Sequence, residues 1–393
     1  MTEIEPQGIY DPFVHTIWED PFPVYARLRN EFPVYRNEAR DCWVVSCFDD
    51  IQAISRDPKT YSCANGVDLD LPATYLGPGD FLATDPPVHT RLRKVLHEHF
   101  TPKAIDRLED SLRARVRLLL EGVHDGDTFD VAESLAMSLP MLTILSLMGF
   151  PEDDGGQVRE WLYATTLRIP GSSDRPPACD AAHAALAEYM GKLLDERRHE
   201  PRADLITVMA RAVDDGRMSL DETHGMSLLL LVAGWVTTAC LISNAVYLLA
   251  RDPGQRRILA EDPTTIQAGV EEILRLESPV QYLMRTTTRD VELHGVAIPE
   301  GGKVVLLYAA ANRDERRWDD AERFDVRRDP QRIITFGEGI HHCLGAPLSR
   351  LSGRVALEEM LARWPRFELA GPITRIQSVV LRGMDSLPVR FLA

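Results

Sequence analysis

Phe336-Gly-Glu-Gly-Ile-His-His-Cys343-Leu-Gly345 is the stretch on which the reading of this chain turns. A glycine-rich loop delivers a cysteine to the start of a helix. That helix is marked by Leu344, Leu348, Leu351 and Val355 at helical spacing and runs to about Trp364. Free N–H groups at a helix head point toward such a sulfur, and the helix dipole favours thiolate over thiol. Gly337 and Gly339 let the backbone approach a flat ligand closely. His341 adds a donor two residues before the sulfur. From these residues alone the thiolate can serve as a nucleophile, a zinc ligand or a haem ligand.

The rest of the chain narrows the class. The other cysteines stand at 42, 47, 63, 179 and 240, with no C-x-x-C, so a structural zinc site has no obvious ligand set. Six cysteines in 393 residues are too few for a disulfide scaffold. Lys plus Arg total 44 against 60 Asp plus Glu, a net charge of −16. That balance argues against nucleic acid and against anionic membrane as partners. Met1 to Tyr10 has no basic or apolar leader pattern, so a cytoplasmic, reduced protein is expected. Gly225 to Ala250 carries no charge and is long enough to span a bilayer. Gly234, Thr237, Thr238, Ser243 and Asn244 near its middle favour a buried central helix instead.

No repeat or Gly/Ser linker divides the chain, so one domain over 1–393 is expected, with Gly171 to Pro177 as a mobile surface loop. Val34-Tyr35 and Cys42 to Cys47 read as a hairpin flanked by helices at Pro23 to Asn30 and Asp49 to Arg56. Tyr61 to Ala83 reads as a long loop of the kind that is usually functional. Helical periodicity covers Pro86–His99, Ala104–Glu121, Val131–Met148, Gln157–Ile169, Ala181–Arg198, Asp204–Val213 and Leu220–Ala250. Ser219 and Glu222 form a capping box at the head of the last of these. Another helix begins at Asp262-Pro263 and stops before Pro279. Strand-like runs follow at Val291–Leu293, Val296–Ile298 and Lys303–Leu307. The fold class is mainly α with a small β part: β-rich regions near 30–60 and 285–310, a helical core near 86–280 and 344–364.

Position by position, the Cys343 loop resembles the haem-thiolate loop of the cytochrome P450 family. That pattern wants Phe seven before the cysteine, Gly six and four before, a basic residue two before and Gly two after. Phe336, Gly337, Gly339, His341 and Gly345 satisfy it. The resemblance runs in family order from Pro12 to Phe391 and implies a P450-type fold with haem between the long central helix and the Cys-loop helix. It implies haem b with Cys343 as axial ligand, whose electron density favours O–O cleavage.

Further matches extend the resemblance. Glu272-Ile-Leu-Arg275 looks like the family's E-x-x-R pair, on one helix face at i, i+3. Ala321-Glu-Arg-Phe324 resembles the meander, with Ala321 where Pro is usual; Arg323 would complete a Glu–Arg–Arg network, with Arg327 the runner-up. In Asp85-Pro-Pro-Val-His89-Thr-Arg-Leu-Arg93, His89 and Arg93 share a helix face; with Arg285, just before a strand, and His341, they are implied haem-propionate contacts. Ala233, Gly234 and Thr237, with Thr238, match the oxygen-binding groove of the long helix. Val236 departs from the family, which commonly has an acid there.

The expected function is a bacterial-type monooxygenase that inserts one atom of O2 into an apolar small molecule. Electrons would come from NAD(P)H through a ferredoxin and its reductase, and the enzyme is expected to be a monomer. Arg91, Lys94, Arg350 and Arg354 would meet the acidic partner. Val67, Leu69, Leu71, Leu230, Trp235, Tyr282, Leu283 and Met384 are the expected substrate contacts. A peroxide-using or coupling enzyme and a haem-based sensor are the alternatives.

Overall fold

The structure, a computed structural model, describes residues 8–69, 71, 75–165 and 176–392. Most of the expected 171–177 loop, and the last residues of the helix expected over 157–169, lie outside the described residues. The chain clusters into two compact units. One comprises Met1–Ser62, Ile105–Leu139 and Thr237–Ala393; the other comprises Cys63–Ala104 and Pro140–Val236. The fold is mainly α with a small β part, as expected.

In the first unit a five-stranded sheet runs in the order Val34–Asn37, Cys42–Val45, Lys303–Leu306, Leu283–Thr287, Tyr61–Ser62. The expected hairpin pairs Val34 with Val45 and Asn37 with Cys42. Cys42–Val45 is buried at every position, which suits a strand flanked on both edges. Its second neighbour, Lys303–Leu306, lies parallel to it, in register Cys42 with Lys303. Arg285 sits inside the strand Leu283–Thr287, opposite Val304, rather than ahead of it.

Three strands that the periodicity did not reveal form another sheet. Pro388–Leu392 lies between Thr128–Asp130 and Arg366–Leu369. Phe391 stacks on Trp364, their rings 4.1 Å apart, which fixes the C-terminal end of helix Ala346–Arg363. The same helix packs on Glu109–Leu119 and Ile266–Leu276. It approaches the long helix Leu220–Arg251 closely because position 353 is glycine. A Cβ there would lie 2.9 Å from Leu241 Cδ2.

The second unit is helical: Val88–Leu96, Gly155–Thr165, Pro177–His199, Leu205–Asp214 and the first half of Leu220–Arg251. The capping box is reciprocal: Ser219 N donates to Glu222 Oε2 at 2.8 Å and Glu222 N to Ser219 Oγ at 3.1 Å. Among the described residues Leu220–Arg251 is the one helix long and apolar enough to cross a membrane, and 72% of its most apolar stretch is buried in the protein.

Several elements differ from expectation; the helix expected over Ala104–Glu121, for one, opens on short turns and is regular only over Glu109–Leu119. The helix expected over Val131–Met148 is a π-turn at Ala132–Ala136 followed by Ser138–Met148. Pro140 is the cause, since it cannot donate to the carbonyl of Ala136 and its ring crowds that oxygen. Pro253–Glu261 is an additional helix, capped by Asp252, whose carboxylate accepts from Gly254 N and Gln255 N.

Candidate active site

The cysteine loop closes on itself through its backbone. Cys343 N donates to Phe336 O at 2.8 Å, His342 N to Gly339 O at 3.2 Å and Gly337 N to Ile334 O at 2.9 Å. Gly337 and Gly339 take φ of +68° and +70°, values that side-chain-bearing residues rarely adopt. Gly339 has a second reason to be glycine: a Cβ there would collide with Ser55 O. Arg56 reinforces that contact with an ion pair to Glu338 at 3.1 Å. Helix Ala346–Arg363 begins behind Gly345, so Cys343 lies in the entry turn, two residues ahead of the cap.

Phe336 lies under the Arg350 guanidinium, 4.4 Å from it. Arg350 in turn grips Glu271 with two bonds, 2.5 and 3.0 Å. This stack of aromatic ring, cation and carboxylate ties the loop to helix Ile266–Leu276 and was not foreseen.

Cys343 is exposed, whereas the other five cysteines are buried. Burial pushes the Cys42 and Cys240 thiols up to about 12, which keeps them protonated and inert. A Cβ at Gly345 would only touch Cys343 Sγ, at 4.0 Å, so space does not require glycine there. An accessible soft sulfur donor in a loop whose glycines hold left-handed backbone fits an iron porphyrin.

Behind the loop, Glu272 and Arg275 are wholly buried and joined by two bonds, Nε–Oε2 at 2.7 Å and Nη2–Oε1 at 2.9 Å. Arg275 also donates to Asn312 O at 2.9 Å and Ala321 O at 2.7 Å. The third cation is neither Arg323 nor Arg327. Arg328 Nε reaches Glu272 Oε1 at 3.1 Å and also donates to Asp319 O and Asp320 O. Arg323 turns outward, 64% exposed, toward Asp325, and contributes only its carbonyl to Arg275. Arg327 is exposed. The buried Val326 anchors this turn and sends its neighbour Arg327 to solvent.

Arg285 is buried, with Nη1 donating to Met284 O at 2.7 Å; His341 is half-buried. On the long helix Thr238 Oγ1 meets Ser349 Oγ at 3.3 Å, which links this helix to the cysteine helix. Ala233 is exposed between buried Leu231 and Trp235, while Gly234, Val236 and Thr237 are half-buried. In the second unit His89 is buried on Val88–Leu96, its ring edge-on to Phe81 at 6.3 Å, and Arg93 follows one turn later, half-buried.

The expected substrate residues divide. Val67, Leu69, Leu71 and Leu283 are half-buried, and Leu230 and Trp235 are buried. Tyr282 and Met384 are enclosed core residues, and Met384 N bonds to Ser243 Oγ. The cations expected to greet a partner are mostly committed within the chain. Arg91 pairs with Glu222, Arg350 with Glu271, and Arg354 with Glu109 and Glu358. Lys94 is exposed.

The sequence pattern of the cytochrome P450 family matches residues 171–372. Cytochrome P450 130 of Mycobacterium tuberculosis is 38% identical over 371 residues, covering 90% of each chain. The 6-deoxyerythronolide B hydroxylase of Saccharopolyspora erythraea is 35% identical over 398 residues, 96% of each chain. Among solved structures, the bacillaene polyketide synthase cytochrome P450 PksS of Bacillus subtilis superposes with a TM-score of 0.90 at 33% identity, covering 98% of this chain and 100% of that one.

Proposed function

Because the chain belongs to the cytochrome P450 family of monooxygenases, we propose that it is a soluble, cytoplasmic enzyme acting as one catalytic domain. It hydroxylates or similarly oxidises an apolar small molecule, using O2 and electrons from NAD(P)H passed on by a ferredoxin and its reductase. The single observation that carries the reading is the exposed Cys343 in its glycine-bracketed loop, beside the buried Glu272–Arg275 pair. Haem b, when bound, would supply O2 activation, with the Cys343 sulfur donating electron density to its iron.

The chain's own residues then have separable tasks. Cys343 Sγ would hold the iron. His89, Arg93, Arg285 and His341 neutralise the propionates, for which guanidinium forks are suited. Phe336, Gly337 and Gly345 shape the loop, and Glu272, Arg275 and Arg328 keep it in place. Thr237 Oγ1 donates and accepts, so it can hold a water and pass one proton. Thr238 is a positioning residue, through Ser349. Ala233 leaves room beside the helix backbone, whereas the space beside Gly234 is taken by Ile144, which a Cβ there would meet at 3.2 Å. Val67, Leu69, Leu71, Leu230 and Leu283 offer apolar walls, whereas Trp235, expected among them, lies on the opposite face of its helix from Ala233; the relatives named for 6-deoxyerythronolide B and for a polyketide synthase make polyketides the first class to screen.

Val236 favours a second reading, in which peroxide serves as co-substrate, because valine can neither hold nor pass a proton. Turnover with peroxide but none with reductase, ferredoxin and O2 decides for it. The main reading is tested by the reduced, CO-bound spectrum. Wild-type protein is expected to give the red-shifted Soret band of thiolate ligation, and Cys343→Ser to lose it. A surviving band in the mutant overturns the assignment.

A further inference from the structure

Helix Pro177–His199 and the first half of Leu220–Arg251 flank a cavity of about 280 Å³ within the second unit. One helix presents His183, Ala187 and Met190, the other His224, Leu228 and Leu231, each set at i, i+4, i+7 along one face. This face is not the one assigned to the reaction. His224 and Ala233 are nine residues apart, and at roughly 100° per residue they point to opposite sides of the helix. The cavity therefore lies behind the helix, away from Ala233 and Thr237.

Its walls are apolar except for the imidazoles and Ser227, whose hydroxyl is already spent on Thr223 O at 2.7 Å. His224 Nε2 is buried and has no hydrogen-bond partner among the described residues. A buried nitrogen in that state costs stability that a bound donor or acceptor recovers. Burial also lowers the His224 pKa, so the ring is neutral at neutral pH. A neutral imidazole nitrogen is a donor in one tautomer and an acceptor in the other, and a hydroxyl satisfies both.

We propose that this cavity is a second small-molecule site, in which a neutral, hydroxyl-bearing hydrocarbon bonds His224 Nε2 and packs its body against Ala187, Met190, Leu228 and Leu231. The volume suits a molecule of about two fused rings. An ion is excluded by the apolar lining, since nothing there compensates a desolvated charge.

The test uses holoenzyme whose iron is saturated with imidazole, so that the reaction site is closed and its occupancy is visible in the Soret band. Binding of 2-naphthol and of 2-methylnaphthalene, which differ by hydroxyl against methyl, is measured by calorimetry. 2-Naphthol is expected to bind one site without displacing imidazole, about three- to tenfold tighter than the methyl analogue, the range one net hydrogen bond supplies. His224→Leu is expected to erase that preference while leaving the methyl analogue's affinity unchanged. Ala187→Phe, which fills the cavity, is expected to weaken both probes; if it fails to fold, His224→Leu alone decides. Displacement of imidazole by the probe, a preference that survives His224→Leu, or full affinity in folded Ala187→Phe each overturns the proposal.

Discussion

At the scale of single residues, the buried charges carry the sharpest expectations. Glu272 accepts from Arg275 and Arg328 at once. Glu272→Ala leaves a guanidinium buried without its counter-ion, at about 3–5 kcal/mol, a large part of a typical domain's stability. Haem-free or insoluble protein is the expected outcome, read by haem content and thermal melting. Arg328→Ala should lower the melting temperature clearly, whereas Arg323→Ala should leave it nearly unchanged, because exposed pairs contribute little. The reverse order would return the third position of the network to Arg323. Val236 makes a separate prediction. General acid–base groups contribute about 10²–10⁴-fold, so a helix lacking the acid should leak reducing equivalents to peroxide with poor substrates. Val236→Asp should shift coupling efficiency or the solvent isotope effect; if the folded mutant keeps both at wild-type values, residue 236 lies off the proton path.

At the scale of elements, the short turn Phe81–Ala83 has a titrating cap. Asp80 accepts from Leu82 N at 2.9 Å, yet burial outweighs its backbone bonds and raises its pKa to about 6. The native state therefore holds this proton more tightly than the unfolded chain does. Stability falls as pH climbs from about 4 to about 6 and is flat above. Asp80→Asn keeps the accepting oxygen and removes the charge. It should raise the melting point at pH 7.5, by up to roughly 3 kcal/mol of stability, with the gain vanishing near pH 4. An equal gain at both pH values would show that Asp80 is not the titrating group.

Elements also show what could be read from the chain beforehand. The hairpin, the capping box and the long helix were legible because alternation, Ser219/Glu222 and an uncharged run are local signals. Cys343 and its glycines were legible for the same reason. The sheet around Pro388–Leu392 was not, since its strands have three to five residues and include Asp130 and Pro388, which strand preference disfavours. Nor was Arg328, for Arg323, Arg327 and Arg328 are chemically alike and only the path of the turn decides between them. Helix Pro253–Glu261 did carry its signals, Asp252 and Pro253, but its nine residues show too short an apolar stripe to stand out between the two longer helices.

At the scale of the whole molecule, the positive charges are largely spent internally. Arg113 alone faces Glu109, Glu358 and Glu359, joining helix Glu109–Leu119 to helix Ala346–Arg363. The arginines hold Glu109 and Glu359 below the usual carboxylate range. What those pairs contribute is present above the unfolded pKa and lost as pH falls through the lowered folded one, opposite in sign to Asp80. Under the proposed electron supply, Arg350→Ala should lower melting temperature and haem retention while leaving the KM for ferredoxin within about twofold, in line with a cation engaged by Glu271 rather than by a partner. A several-fold rise in KM at unchanged melting temperature would restore Arg350 to the docking surface.

The parallel pairing of Cys42–Val45 with Lys303–Leu306 has a consequence for biogenesis. During synthesis the hairpin leaves the ribosome long before the strand that completes it has been translated. Until then Cys42, Trp43, Val44 and Val45, all buried in the finished sheet, offer an unpaired apolar edge to any neighbouring nascent chain. Soluble yield should therefore depend on translation speed and on holdase chaperones.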